Sequence, residues 1–312
     1  MISQIIDKLV EGSSPSAVQV SRLAELSRED LSDFRARWST LPVERRLAIL
    51  GVAAQLAEDD VHLDFSSVLK LCLADSDGAV RAAAIEGLWE NDEARTGDLL
   101  ATVLRTDPDE RARVAAALGL AHFADRLEFG TLYAPTAARV RAALLAAAND
   151  QREPADVRRR AIESLGVLSD PGVIDLIERT FADSDPKFRA SAIYAMGRNA
   201  DDRWLPTVLG EFESDNPEIR FEAARAAGPI ESARAVVPLI TLLDDPDLEV
   251  RLAAVGSLGT IGGEVARKAL EQCKNSDEPA IRSAATDALG QIDLDRDPLS
   301  TSPFLNNSTR TI

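Results

Sequence analysis

An arginine that follows an apolar residue, and is followed three positions later by alanine, recurs seven times along this chain, as Arg81, Arg113, Arg158, Arg189, Arg220, Arg251 and Arg282. The intervals are 32, 45, 31, 31, 31 and 31 residues. Such a period means one supersecondary unit copied end to end, so the chain is constrained to a stack of units that contact their neighbours. Three after each arginine stands Ala84, Ala116, Ala161, Ala192, Ala223, Ala254 or Ala285, and six after it Gly87, Gly119, Ser164, Ala195, Ala226, Ser257 or Ala288. One column is always alanine and the other always small.

At about 100° per residue, the positions one before the arginine and three, four and seven after it share a helix face. They carry Val80, Ala84, Ile85 and Leu88 in the first copy and Val250, Ala254, Val255 and Leu258 in a later one, which predicts a buried face. The small columns let the next helix approach closely. Glycine lies eight after the arginine in the last five copies (Gly166, Gly197, Gly228, Gly259, Gly290), which predicts a helix end in a left-handed cap. Trp89 and Ala121 stand there in the first two copies, so those helices are expected to end differently. Before the arginines come turns such as DSDGAV, DSDPKF, SDNPEI and DDPDLEV, whose Asp, Ser and Asn suit helix caps and whose Pro suits a first turn. Upstream of most turns lies another apolar helix, as in VIDLIERTF or VVPLITLL. Each unit therefore reads as helix, turn, helix.

These features resemble HEAT repeats. The 31-residue form, with Asp-x-Asp turns before a Val-Arg-x-x-Ala helix, is similar to the bacterial HEAT-like repeats also found in phycobilisome lyases. The resemblance covers about residues 70 to 292 and implies an all-α protein, a right-handed α-solenoid of stacked antiparallel helix pairs with the second helices on the concave side. The expected organisation is a diverged helical cap over 1–70, with helices over 26–38 and 42–59, and HEAT-like repeats over 71–292, in about seven units with one enlarged near 113–158. A polar, disordered tail is expected over 293–312. In such families aspartate and arginine columns often form a ladder between units. Here Asp75, Asp107, Asp183 and Asp245 hold the column but Arg152, Ser214 and Ser276 interrupt it, so a broken ladder is expected.

Charge bounds the function. With 35 Lys and Arg against 52 Asp and Glu the net charge is −17, which argues against nucleic acid and anionic membranes as partners. It divides as −5 over 1–80, −1 over 81–160 and −11 over 161–312. No stretch approaches the roughly 20 apolar residues of a membrane helix. Two distant cysteines, Cys72 and Cys273, and a start without a basic and apolar leader point to a soluble cytoplasmic protein, expected to be a monomer. No cofactor or metal is expected. His62 and His122 lack the His-Glu pairs of HEAT-like hydroxylases, and both cysteines fit buried, inert thiols.

Pointing away from the buried stripe are Arg159, Arg160 and Glu163, then Tyr194, then Phe221, Glu222 and Arg225, then Leu252. If the concave geometry holds they form a strip mixing aromatics with arginines, as in interface anchors. The partner expected there is another protein, presented as a helix or an extended segment. The plainer reading is a solvated face with isolated apolar residues. A second candidate follows the segment DRLEFGTLYAPT, residues 125–136, expected to be a long loop. Arg139, Arg141, Arg152, Arg158, Arg159 and Arg160 then face three carboxylates, a local +3 suited to an acidic partner or a phosphate. Against this, Arg158 belongs to the repeat column, and Arg139 and Arg141 fall on an outer helix. The leading function is a non-catalytic protein-interaction scaffold. The resemblance also implies, as alternatives, a lyase-like enzyme or chaperone acting on a bilin-protein, or a HEAT-like protein of DNA binding or repair.

Overall fold

The structure, a computed structural model, describes residues 15–24 and 26–296, and all regular secondary structure among them is helical. The chain divides into two compact units, one ending at Leu168 and the other beginning at Ser169. The first holds α1 (Ala17–Ser21), α2 (Arg28–Trp38), α3 (Val43–Asp59), α4 (Ser66–Cys72), α5 (Gly78–Glu86), α6 (Ala94–Thr106), α7 (Glu110–Gly119), α8 (Ala121–Glu128), α9 (Ala134–Asn149) and α10 (Ala155–Leu165). The second holds α11 (Pro171–Phe181), α12 (Pro186–Asn199), α13 (Leu205–Gly210), α14 (Pro217–Ala227), α15 (Val236–Thr241), α16 (Leu248–Ile261), α17 (Gly263–Cys273) and α18 (Pro279–Arg296). Within the first unit α3, α5, α7 and α10 pack in succession, and within the second α12, α14, α16 and α18 do. Each unit is thus an α-solenoid whose arginine-bearing helices stack on one another. Of the tail expected to be disordered, residues 293–296 continue α18; the rest lies outside the described residues.

The turns start these helices by a division of labour. In Asp-x-Asp, the second aspartate caps the helix: Asp77 Oδ1 accepts from the N–H of Ala79 at 2.8 Å and Asp247 Oδ1 from Glu249 at 2.9 Å. The first aspartate closes the turn, accepting the N–H two residues on, as Asp107 does from Asp109 at 2.9 Å. Its carboxylate also reaches the preceding unit. Arg81 binds Asp107 through Nε at 2.7 Å and Nη2 at 2.5 Å, and Arg220 binds Asp245 at 2.7 and 2.9 Å. The same arginines donate from Nη1 to the carbonyl six residues back, Asp75 and Ser214 respectively, each at 2.8 Å. Arg113, Arg251 and Arg282 make the equivalent bond at 2.7 Å.

The expected breaks in the ladder are partly mended. Where Arg152 replaces the aspartate, Glu153 beside it takes Arg113 at 3.1 Å; where Ser214 does, Glu211 takes Arg189. The ladder also starts earlier than the repeat count implies. Arg46 on α3 pairs with Asp75, whose other oxygen accepts from Trp38 Nε1 at 2.6 Å. The N-terminal helices place Phe34, Trp38 and Ile49 in one core with Val80 and Ala84, covering the first apolar face.

The buried stripe is as expected: Val80, Ala84, Ile85, Leu88, Val250, Ala254, Val255 and Leu258 are all buried. The glycine column is not. Gly197 and Gly259 lie inside α12 and α16, and Gly166 and Gly228 have right-handed backbone angles at the ends of α10 and α14, so none is a left-handed cap. Three of them are sites of close approach. A Cβ on Gly197 would lie 2.7 Å from Ala226 Cα, one on Gly228 2.9 Å from Ser257 Oγ, and one on Gly259 2.7 Å from Ala288 Cβ. Each glycine therefore meets the small column of the following unit. Where that column carries serine, the hydroxyl donates backwards, Ser257 to the Ala224 carbonyl at 2.7 Å and Ser164 to that of Ala117 at 2.8 Å. These buried hydroxyls are satisfied without leaving the interface.

The segment 125–136 is also not the long loop expected. The enlarged unit spends its extra length on α8, which buries Phe123 and Ala124, and only Phe129 to Tyr133 connects it to α9. The apolar spacing of Ala121–Glu128 is a helix pattern that fell outside the repeat register.

Gly259→Ala is expected to lower unfolding stability by about 1–3 kcal/mol through overpacking against Ala288. Gly290→Ala, in α18 with nothing within 4 Å, is expected to raise it by up to about 1 kcal/mol. Urea unfolding midpoints check both, and equal effects would count against the close-approach account. For Asp107, burial raises the carboxyl pKa but the bonds to Arg81 and to the backbone outweigh it, holding the pKa low; Asp245 is held low chiefly by Arg220. A depressed pKa adds stability above the unfolded value, about 3.9, that is lost as pH falls through the folded value. Unfolding free energy should therefore drop below about pH 4, and less steeply in Asp107→Asn, which should itself cost about 3 kcal/mol at neutral pH by stranding Arg81.

Candidate functional site

With the ladder and the glycine contacts fixing the rotation of each second helix, their outward positions fall in rows. In the second unit Tyr194 on α12 and Phe221, Glu222 and Arg225 on α14 come together. The Arg225 guanidinium lies over the Tyr194 ring, 4.5 Å from its centroid, and 5.8 Å from that of Phe221. Its Nε is 3.7 Å from Glu222 Oε2. Arg225 is exposed, whereas Tyr194, Phe221 and Glu222 are half-buried. Leu252, half-buried on α16, extends the row.

Two grooves flank this stack. One, of about 360 Å³, is lined by Tyr194, Arg198, Glu222, Arg225 and Pro229. The other, of about 250 Å³, is lined by Pro217, Glu218, Phe221, Asp247 and Glu249. The first presents two guanidiniums and the Glu222 carboxylate that pairs with Arg225, and the second three carboxylates, of which Asp247 is engaged as the cap of α16. Aromatic faces on rigid helices, with a stacked guanidinium between them, offer flat contact area at small entropic cost. The second groove adds negative charge on one side of the stack.

In the first unit the remaining strip residues are less open. Arg159 pairs with Asp156 at 3.1 Å and Arg160 with Glu163 at 2.7 Å. Glu163 is buried rather than exposed: Arg160 folds over its carboxylate and α8, absent from the other units, packs on α10. The arginines near 139–160 are likewise engaged. Arg139 binds Asp98 at 2.8 and 2.7 Å, and Arg152 binds Asp150 at 3.0 and 2.9 Å. The Arg152 bond holds the Asp150 carboxyl down to about 2, and Arg139 lowers that of Asp98. Neither Arg141 nor Arg158 is free. Arg139, Arg152, Arg159 and Arg160 of the local +3 are thus met by carboxylates, one of them, Asp98, distant in sequence.

Among the described residues no group of three or more His, Cys, Asp or Glu is placed to hold a metal. Cys72 is buried, and desolvation, reinforced by nearby Asp75 and opposed by Arg46, pushes its thiol pKa up; burial and then Asp244 do the same for half-buried Cys273. Neither thiol has the lowered pKa of a reactive cysteine. No described helix is long and apolar enough to cross a membrane.

A model of HEAT repeats matches residues 141–210, 175–247 and 205–290. No curated protein matches by sequence. Among solved structures, the chain is similar to Kap95p, in a structure with RanGDP, at 13% identity and a TM-score of 0.50, covering 94% of this chain and 46% of that one. It is similar to the Escherichia coli protein YibA at 16% identity and a TM-score of 0.48, covering 90% and 98%. The CpcE and CpcF complex of phycocyanin lyase from Nostoc sp. PCC7120 gives 19% identity and a TM-score of 0.49, covering 73% and 94%. At this identity the likeness to Kap95p is one of fold alone.

The stack itself is measurable. In a double-mutant cycle of Tyr194→Ala and Arg225→Ala on unfolding free energy, a coupling of about 0.5–1 kcal/mol is expected. Strict additivity would show that the pair does not form in solution.

Proposed function

We propose that this HEAT-like repeat protein is a non-catalytic interaction scaffold that holds a partner protein along the outward face of α12, α14 and α16. Solenoids of this kind bind extended partners along the surface their stacked helices generate. The observation that carries the reading is the Tyr194–Arg225–Phe221 stack with a groove on either side. A helix or extended segment would lay an apolar side chain on the stack and point a cation towards Glu218 and Glu249. Leu252, half-buried on α16, is expected to contribute at the far end of the row. Two free cysteines support a reducing, cytoplasmic setting. No arrangement of side chains favours bilin chemistry or DNA over this, because the arginines that would meet an anion in the first unit already have partners.

The test replaces Tyr194, Phe221 and Arg225 together with alanine and compares proteins captured by the variant and the parent by quantitative mass spectrometry. Partners should fall at least about tenfold in the variant, whose circular dichroism and Tm should stay close to the parent's. Full retention of every partner by the folded variant sinks the proposal.

A further inference from the structure

The first unit carries an open cavity that the strip does not use. It lies where the C-terminal ends of α3 and α5 meet the start of α4, has a volume of about 270 Å³, and is floored by Ala53, Ala57 and Leu69. At its mouth stand Trp89 and Val61, 60% and 80% exposed, whereas the other two tryptophans, Trp38 and Trp204, are buried. An exposed tryptophan beside an apolar floor marks a surface built for contact.

The rim decides what makes that contact. Asp64, Glu90, Asp92 and Glu93 line the cavity, and no lysine or arginine does. Lys70 reaches Glu93 at 2.8 Å and Arg126 reaches Asp92 at 3.7 Å, both from outside the lining. Among the described residues Asp64 and Glu90 have no cationic partner; Asp64 is occupied only in accepting the Ser66 N–H at 2.8 Å. Beyond Ala57 the chain adds Glu58, Asp59 and Asp60. The rim is thus negative on both sides of an apolar floor, a complement to cations flanking an apolar anchor.

From this geometry we infer a second docking site, for a basic segment of a partner protein whose apolar or aromatic side chain enters between Trp89 and Val61 while flanking lysines or arginines meet Glu90 and Asp64. Anionic lipid and nucleic acid are repelled by the same rim. The site is separate from the Tyr194 stack and stands or falls independently of it.

The experiment titrates the full chain into a fluorescein-labelled peptide Lys-Lys-Leu-Phe-Lys-Lys and follows anisotropy, with tryptophan emission of an unlabelled copy as a second readout. Two controls replace the lysines by glutamate or the Leu-Phe pair by Gly-Gly. The lysine peptide should bind at least about tenfold more tightly than either control, weaken with salt, and shift tryptophan emission to the blue. Trp89→Ala should abolish the shift, and it and Glu90→Lys should each weaken binding by about tenfold; both residues are exposed, so the fold should be retained. Absence of binding, equal binding of either control, or unchanged affinity in both variants overturns the inference.

Discussion

The guanidiniums of Arg81 and Arg220 each satisfy two units at once. In each, Nη1 ties down the turn that leads into its own helix, and remaining N–H groups grip a carboxylate belonging to the turn of the next unit. That carboxylate in turn holds a backbone N–H of its turn. A charge taken this far out of water is tolerable only when most of its donors are met, and at Arg81 and Arg220 the bonds that meet them also set the phase of one helix against the next. The apolar stripe alone would not do so. Small aliphatic side chains slide over one another at little cost, whereas a bidentate bond between a guanidinium and a carboxylate has one register.

What the sequence disclosed follows from this. Columns at fixed spacing report contacts repeated in every unit, so the helix pairs, the buried stripe and the small columns were legible. The glycine column was legible as a column and misread as a cap, because left-handed caps and close approaches both select glycine, and only the position of the neighbouring backbone separates them. Glu153 and Glu211 could not be found by columns at all. They enter the ladder from neighbouring positions, because a longer side chain compensates for a shifted backbone. Arg46 was hidden in the same way, in an N-terminal helix without the alanine three residues on.

The outward residues divide along similar lines. Tyr194, Phe221 and Arg225 were picked from angular position, and the structure stacks them because α12 and α14 keep the regular spacing. Glu163 was picked from the same rule and is buried, since its unit is the one in which an inserted helix alters what lies above. Trp89 had shown itself only as a departure from the glycine column. Its exposure beside an apolar floor needed the fold to bring the end of α3 against the end of α5.

The contacts Gly197 to Ala226, Gly228 to Ser257 and Gly259 to Ala288 are the same joint made three times. A 31-residue cassette cut at equivalent points in the second unit therefore carries a matching plug and socket, so that a cassette added or deleted within this stretch keeps a glycine facing a small residue at each junction. The region around α8 has no such interchangeable ends. Lengthening the molecule by design therefore has its ready-made joints in the second unit.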